Sequence, residues 1–144
     1  MSDAWEPGHY DTILERLLPS ETKPKFLGQC GRLAADLQRG GTLPGNRHRN
    51  GEAVRRMVWG IAGGRPQYVP GPTRTSRAGL PWTWAEQWFF KQAAHRNENA
   101  KHFAGVPEPT LDYIAACLCR PVADVVAYRK RQRDPLDTGG FGVG

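Results

Sequence analysis

Apolar residues recur at helical spacing in several stretches of this chain, with proline- and glycine-rich segments between them. Tyr10, Ile13, Leu14, Leu17 and Leu18 share one face, and Pro19 ends that run by removing a backbone donor. Between Pro24, suited to a first helical turn, and the Gly40-Gly41 stop, Phe26, Leu27, Cys30, Leu33, Ala34 and Leu37 predict a second helix. A third follows the stripe Val54, Met57, Val58 and Ile61, with Asn50 as its cap and Gly63-Gly64 as its stop. Thr83 and Glu86 have capping-box spacing, which predicts a helix from there to near Asn97 with Trp84, Trp88 and Phe89 on one apolar face. Ala100, Phe103 and Ala104 suit a turn of helix before Gly105. Thr110 caps a further helix with Leu111, Ile114, Ala115 and Leu118 inward. Pro121 starts the last, with Val122, Val125 and Val126 expected inward, Tyr128, Lys130 and Arg131 outward, and Arg129 bordering the apolar stripe. The pattern predicts a mostly α protein of short helices joined by long loops.

Composition adds an organisation to this pattern. Gly and Pro together make 29 of 144 residues, above the usual share of about 12% yet below the roughly 25–30% expected of an unstructured chain. They concentrate at residues 65–80, which hold three prolines, two glycines and three arginines and little apolar surface. This stretch is expected to be a linker or loop that orders on a partner. The expected division is an N-terminal helical region (1–64), the linker (65–80), a C-terminal unit (81–134) and a flexible tail (135–144). No run approaches the roughly 18 apolar residues that span a bilayer, and the first residues lack the pattern of a signal peptide, so a cytoplasmic protein is expected, nucleoid-associated if it binds DNA.

Charge points to acidic partners. The net charge is +6, and its distribution is uneven. Residues 1–29 carry three bases against five acids, residues 30–77 nine arginines against Asp36 and Glu52, and residues 78–144 eight bases against seven acids. Arg47, Arg49, Arg55 and Arg56 are expected to gather near the start of the third helix, where free backbone N–H groups also favour anions. Arg74 and Arg77 add to this basic middle, and Arg129, Lys130, Arg131 and Arg133 form a second cluster.

The segment Trp82 to Arg133 resembles a three-helix helix-turn-helix unit of the Myb/SANT-like kind. The resemblance rests on Trp82-Thr83-Trp84-Ala85-Glu86, on Ile114-Ala115-Ala116-Cys117-Leu118, and on Arg120 through Val125 to Tyr128-Arg129. It covers about a third of the chain, and a generic bacterial or phage helix-turn-helix fits the same residues. The resemblance implies that the last helix lies in a DNA major groove. Asp124, Tyr128 and Arg131 would then face bases, with Arg129, Lys130 and Arg133 on phosphates. A trihelical unit that binds protein is the alternative.

Other chemistry finds little support. Cys117 and Cys119 with His95 and His102 offer zinc-ligand types, but residues two apart on a helix point about 200° apart. Cys30, Cys117 and Cys119 are therefore expected to be inert rather than metal ligands or members of a disulfide framework. No local motif supports a nucleophilic cysteine beside either histidine, and there is no dinucleotide or phosphate-loop glycine signature. Trp59, Trp82, Trp84 and Trp88 are expected in the core, with base stacking as their other use. No enzyme activity and no cofactor are expected. The expected function is that of a small basic nucleic-acid-binding protein, a DNA-binding regulator of transcription with DNA preferred to RNA. The alternative is a phage-type inhibitor or adaptor docking on a nucleic-acid-processing complex.

Overall fold

Helix-terminating and helix-capping residues set most of the architecture. The computed structural model describes residues 7–39, 51–96 and 101–133, and across these it contains six helices and no strand. Helix α1 (Pro7–Leu17) stops before Pro19, and Ser20 N–H closes its end on the Leu17 carbonyl at 3.0 Å. In α2 (Lys23–Arg39) the first turn is held by Lys25 N–H donating to Thr22 Oγ1 at 3.3 Å. Helix α3 (Gly51–Ala62) ends at Gly63-Gly64 as expected, and Gly64 adopts a φ of +92°. Its predicted cap, Asn50, lies outside the described residues.

Helix α4 (Trp84–Ala94) starts with the full capping box: Thr83 Oγ1 accepts from Glu86 N–H, and the Glu86 carboxylate accepts from Thr83 N–H. It ends at a His95 cap, earlier than the expected Asn97, which is outside the described residues with Ala100. Thr110 caps α5 (Leu111–Leu118) by accepting from Tyr113 N–H. Cys119 then takes a left-handed conformation, φ 55°, and turns the chain through Arg120-Pro121 into α6 (Val122–Arg133).

All six helices contribute to one hydrophobic core. Leu14 and Leu17 of α1, Phe26 and Leu33 of α2, Val54 and Ile61 of α3, Phe89 of α4, Ile114 and Leu118 of α5 and Val125 of α6 all belong to it. Trp84 and Trp88 are half-buried and cover Phe26, with ring centroids 5.4 and 5.1 Å from it.

Three expectations are corrected by this packing. Residues 65–80 do not divide two cores, because Tyr68 is buried in the shared one and Arg74 is buried beside it. The segment lacks regular structure but is held by polar side chains instead of apolar ones. Helix α6 is also rotated from its expected register. Val125 and Tyr128 face inward, while Val122 and Val126 are 40% and 41% exposed. The cause is the Tyr128 ring, which stacks on Trp82 at 4.0 Å with 9° between planes and meets Phe90 edge-on. Burying that aromatic surface outweighs burying two valines. Leu27 of α2, expected inward, is likewise exposed.

Candidate nucleic-acid interface

The three C-terminal helices are locked together by a buried ion-pair network. Glu86 on α4 is fully buried, and each of its carboxylate oxygens is used. Oε2 accepts from Arg120 Nε and Arg77 Nε, both at 2.8 Å, and Oε1 accepts from Arg120 Nη2 at 2.9 Å. Arg120 sits in the turn between α5 and α6, so this bidentate pair fastens that turn to the start of α4. The same guanidinium donates to the Leu80 and Pro81 carbonyls and to Asp124, and lies 4.8 Å from the Trp82 ring centre. Burial alone would lower the Arg120 pKa, but Glu86 and Asp124 hold it above its ordinary value. Every donor group of this arginine is therefore committed inside the molecule.

A second network ties residues 68–75 to α1 and α5. The Arg74 side chain, 2% exposed, donates to Glu15 at 2.8 Å, to the Tyr68 hydroxyl at 2.8 Å and to the Cys117 carbonyl at 3.0 Å. Tyr68 donates in turn to Asp11, which also accepts from Gly71 N–H. Burial pushes the Glu15 pKa up, but hydrogen bonds from Thr75 and Arg74 outweigh it and hold the carboxyl below its ordinary value.

These networks redistribute the expected interface. Arg74 and Arg77 are each paired with a carboxylate, the Arg74 side chain 2% exposed and that of Arg77 15% exposed. Asp124 is half-buried and accepts from Arg120 and from Gly79 N–H, which takes it out of the base-facing set. Tyr128 leaves that set too, being buried against Trp82 and Phe90. The common reason is that polar and aromatic groups at the α4–α6 junction satisfy one another, and burial without such partners would be costly.

What remains outward on α6 is a continuous face. Val122, Ala123, Val126, Ala127 and Lys130 are all exposed, and Arg131 is exposed beside them with its guanidinium 5.7 Å from the Tyr128 ring centre. Arg129 is half-buried at the border. The Arg133 side chain, Arg47 and Arg49 lie outside the described residues. On α3, Arg55 and Arg56 both pair with Glu52, Arg56 at 3.4 Å and with its side chain 74% exposed. Two guanidinium groups thus share one carboxylate at that surface.

Burial raises the Cys30 thiol pKa to about 11 and that of Cys117 to about 12. Both sulfurs are buried and remain thiols at neutral pH; Cys119 is half-buried, its pKa also raised by burial. Among the described residues no group of three or more His, Cys, Asp and Glu is placed to hold a metal ion, and no helix is long and apolar enough to cross a membrane.

The capping-box spacing identified Glu86 but not its ion pairs. Its partners Arg77 and Arg120 lie 9 and 34 residues away, and nothing in local periodicity links them. In comparisons with known proteins, no family model, no curated protein and no solved structure matches this chain.

Proposed function

We propose that this chain is a small basic nucleic-acid-binding protein, a DNA-binding regulator that uses α5 and α6 as a helix-turn-helix with α6 in the major groove. The observation that carries the reading is the outer face of α6, uncovered by any other described element and combining small apolar side chains with cations, while its inner face packs through Tyr128 on Trp82 and on Phe90 of α4. Twelve residues make a helix about 18 Å long. Val122, Ala123 and Val126 on its N-terminal half suit thymine methyl groups, which small apolar side chains contact. Lys130 and Arg131 suit phosphates, with Arg129 at the border, and Arg131 keeps the fork geometry that can also read guanine. In this form of the reading the base-facing role passes from Asp124 and Tyr128 to the small residues of the first two turns.

A titration on mixed duplex, single-stranded DNA and RNA at two salt concentrations tests it. Duplex binding that weakens by at least about tenfold at the higher salt is expected, because phosphate contacts release counterions. The double variant Lys130→Glu, Arg131→Glu should lose that binding while the protein still unfolds cooperatively, its thermal midpoint lowered by only a few degrees. Absence of duplex binding at low salt overturns the reading. The exposed Val122 and Val126 favour the second one, in which the same face docks on a protein of a nucleic-acid-processing complex.

A further inference from the structure

An open groove of about 580 Å³ lies between α3 and the loop segments carrying Arg65-Pro66 and His102, and it shares no lining residue with the α6 surface. This volume falls within the range of about 300–1,000 Å³ found for small-molecule sites. Two kinds of chemistry meet on its wall. Arg55, Arg56 and Arg65 supply three guanidinium groups, while Trp59 and His102 supply aromatic surface.

The cations are only partly neutralised. Arg55 and Arg56 share the single carboxylate of Glu52, and among the described residues Arg65 forms no ion pair, donating instead to the His102 carbonyl at 2.7 Å. Among the described residues the three guanidinium groups and the one carboxylate sum to a charge of +2, beside an aromatic wall. Trp59 is half-buried, with its ring centroid 4.7 Å from that of His102 and 5.1 Å from that of Phe103. It stands one helical turn from Arg55 and Arg56, so cation and indole are neighbours along α3.

The walls are set by two close approaches. At Gly60 a Cβ atom would come within 2.5 Å of the Arg65 carbonyl oxygen, and the bare backbone there lets Arg65 N–H donate to the Gly60 carbonyl at 2.8 Å. At Gly63 a Cβ atom would fall 2.3 Å from the Phe103 ring, which is buried in the space that glycine leaves. Phe103 in turn places its neighbour His102 beside Trp59.

A ligand that uses both chemistries must be planar and aromatic at one end and anionic at the other. We infer that this groove binds a nucleoside phosphate, with the base against Trp59 and His102 and the phosphate on Arg56 and Arg65. Stacking on an aromatic side chain tolerates any base, and guanidinium groups match phosphate oxygens in pairs. The inference does not depend on α6 binding DNA.

Calorimetric titration of the full chain with adenosine 5′-monophosphate, adenosine and inorganic phosphate tests it. The nucleotide is expected to bind one to one and at least about tenfold tighter than either of its parts, since only it engages both walls. Arg56→Glu should weaken nucleotide binding at least about tenfold, and its exposed side chain makes that variant safe for the fold; adding Arg65→Ala should abolish the signal. The α6 double variant Lys130→Glu, Arg131→Glu should leave nucleotide affinity unchanged. Nucleotide binding no tighter than phosphate, or insensitive to Arg56→Glu, overturns the inference, as does loss of binding in the α6 variant. A 5′-phosphorylated tetranucleotide distinguishes the source: tighter binding in competition with the mononucleotide assigns the site to a strand end, and failure to compete assigns it to a free nucleotide.

Discussion

Glu86 performs two tasks with one carboxylate, and they differ in energy. As the distal member of a capping box it satisfies Thr83 N–H, a contribution of about 1 kcal/mol. As the buried counter-ion of Arg120 and Arg77 it pairs with two guanidinium groups at once, one of them 1% exposed. Glu86→Gln keeps the shape of the side chain but leaves these cations without their shared charge. It should destabilise the protein by about 3–5 kcal/mol, the cost of breaking a buried pair from one side. Urea denaturation measures this directly; because a glutamine oxygen still accepts from Thr83 N–H, the cap survives the substitution, and a loss of about 1 kcal/mol or less would mean that the shared charge contributes little. The first task was legible in the sequence because it is local, four consecutive residues reading Thr-Trp-Ala-Glu. The second was not, because Arg120 and Glu86 are brought together by the turn at Cys119, where a non-glycine residue takes a left-handed conformation that composition does not announce.

At the scale of the helix, α6 separates what periodicity can decide from what it cannot. Helices α2, α3 and α5 have one dominant apolar stripe each, and the structure buries most of that stripe, with Leu27 exposed and Leu37 and Leu111 half-buried. Helix α6 carries apolar residues on both sides, Val122 and Val126 on one and Val125 and Tyr128 on the other, so its own sequence is ambiguous about which side is the core. Trp82, forty-six positions before Tyr128, resolves it by stacking. Substitutions on the two faces should therefore behave oppositely. Tyr128→Ala removes a buried ring and should cost about 3–5 kcal/mol, whereas Val126→Ala should change stability by under about 1 kcal/mol. Chemical denaturation of the two variants checks this, and the reverse order would restore the register expected from the valines. The same asymmetry governs functional tests. A Tyr128 variant reports on folding, and the DNA reading of α6 has to be probed through Lys130 and Arg131.

For the whole molecule, the question is whether the C-terminal helices can present α6 without the rest of the chain. The composition of residues 65–80 suggests a hinge between two units, since almost nothing there is apolar. Yet the segment is fastened by charge: Arg74 reaches Glu15 on α1 and the Cys117 carbonyl on α5, and Arg77 reaches Glu86 on α4. The start of α4 also leans on the end of α1, with Thr83 Oγ1 donating to the Leu18 carbonyl and Ala85 N–H to that of Ser20 at 3.1 Å. Its tryptophans cover Phe26 of α2. A fragment of residues 81–133 would lose all of these partners and expose Trp84 and Trp88 to water. A chain of that size buries only about 60% of its surface at best, which leaves no margin for the loss. The fragment should thus lack a cooperative thermal transition and near-ultraviolet circular dichroism, while the full chain unfolds in one step. A fragment that melts cooperatively would instead make the C-terminal helices an autonomous module. If it does not, the N-terminal helices are part of the apparatus that holds α6 outward, and substitutions in the α1–α4 junction should weaken any activity of that face without touching it.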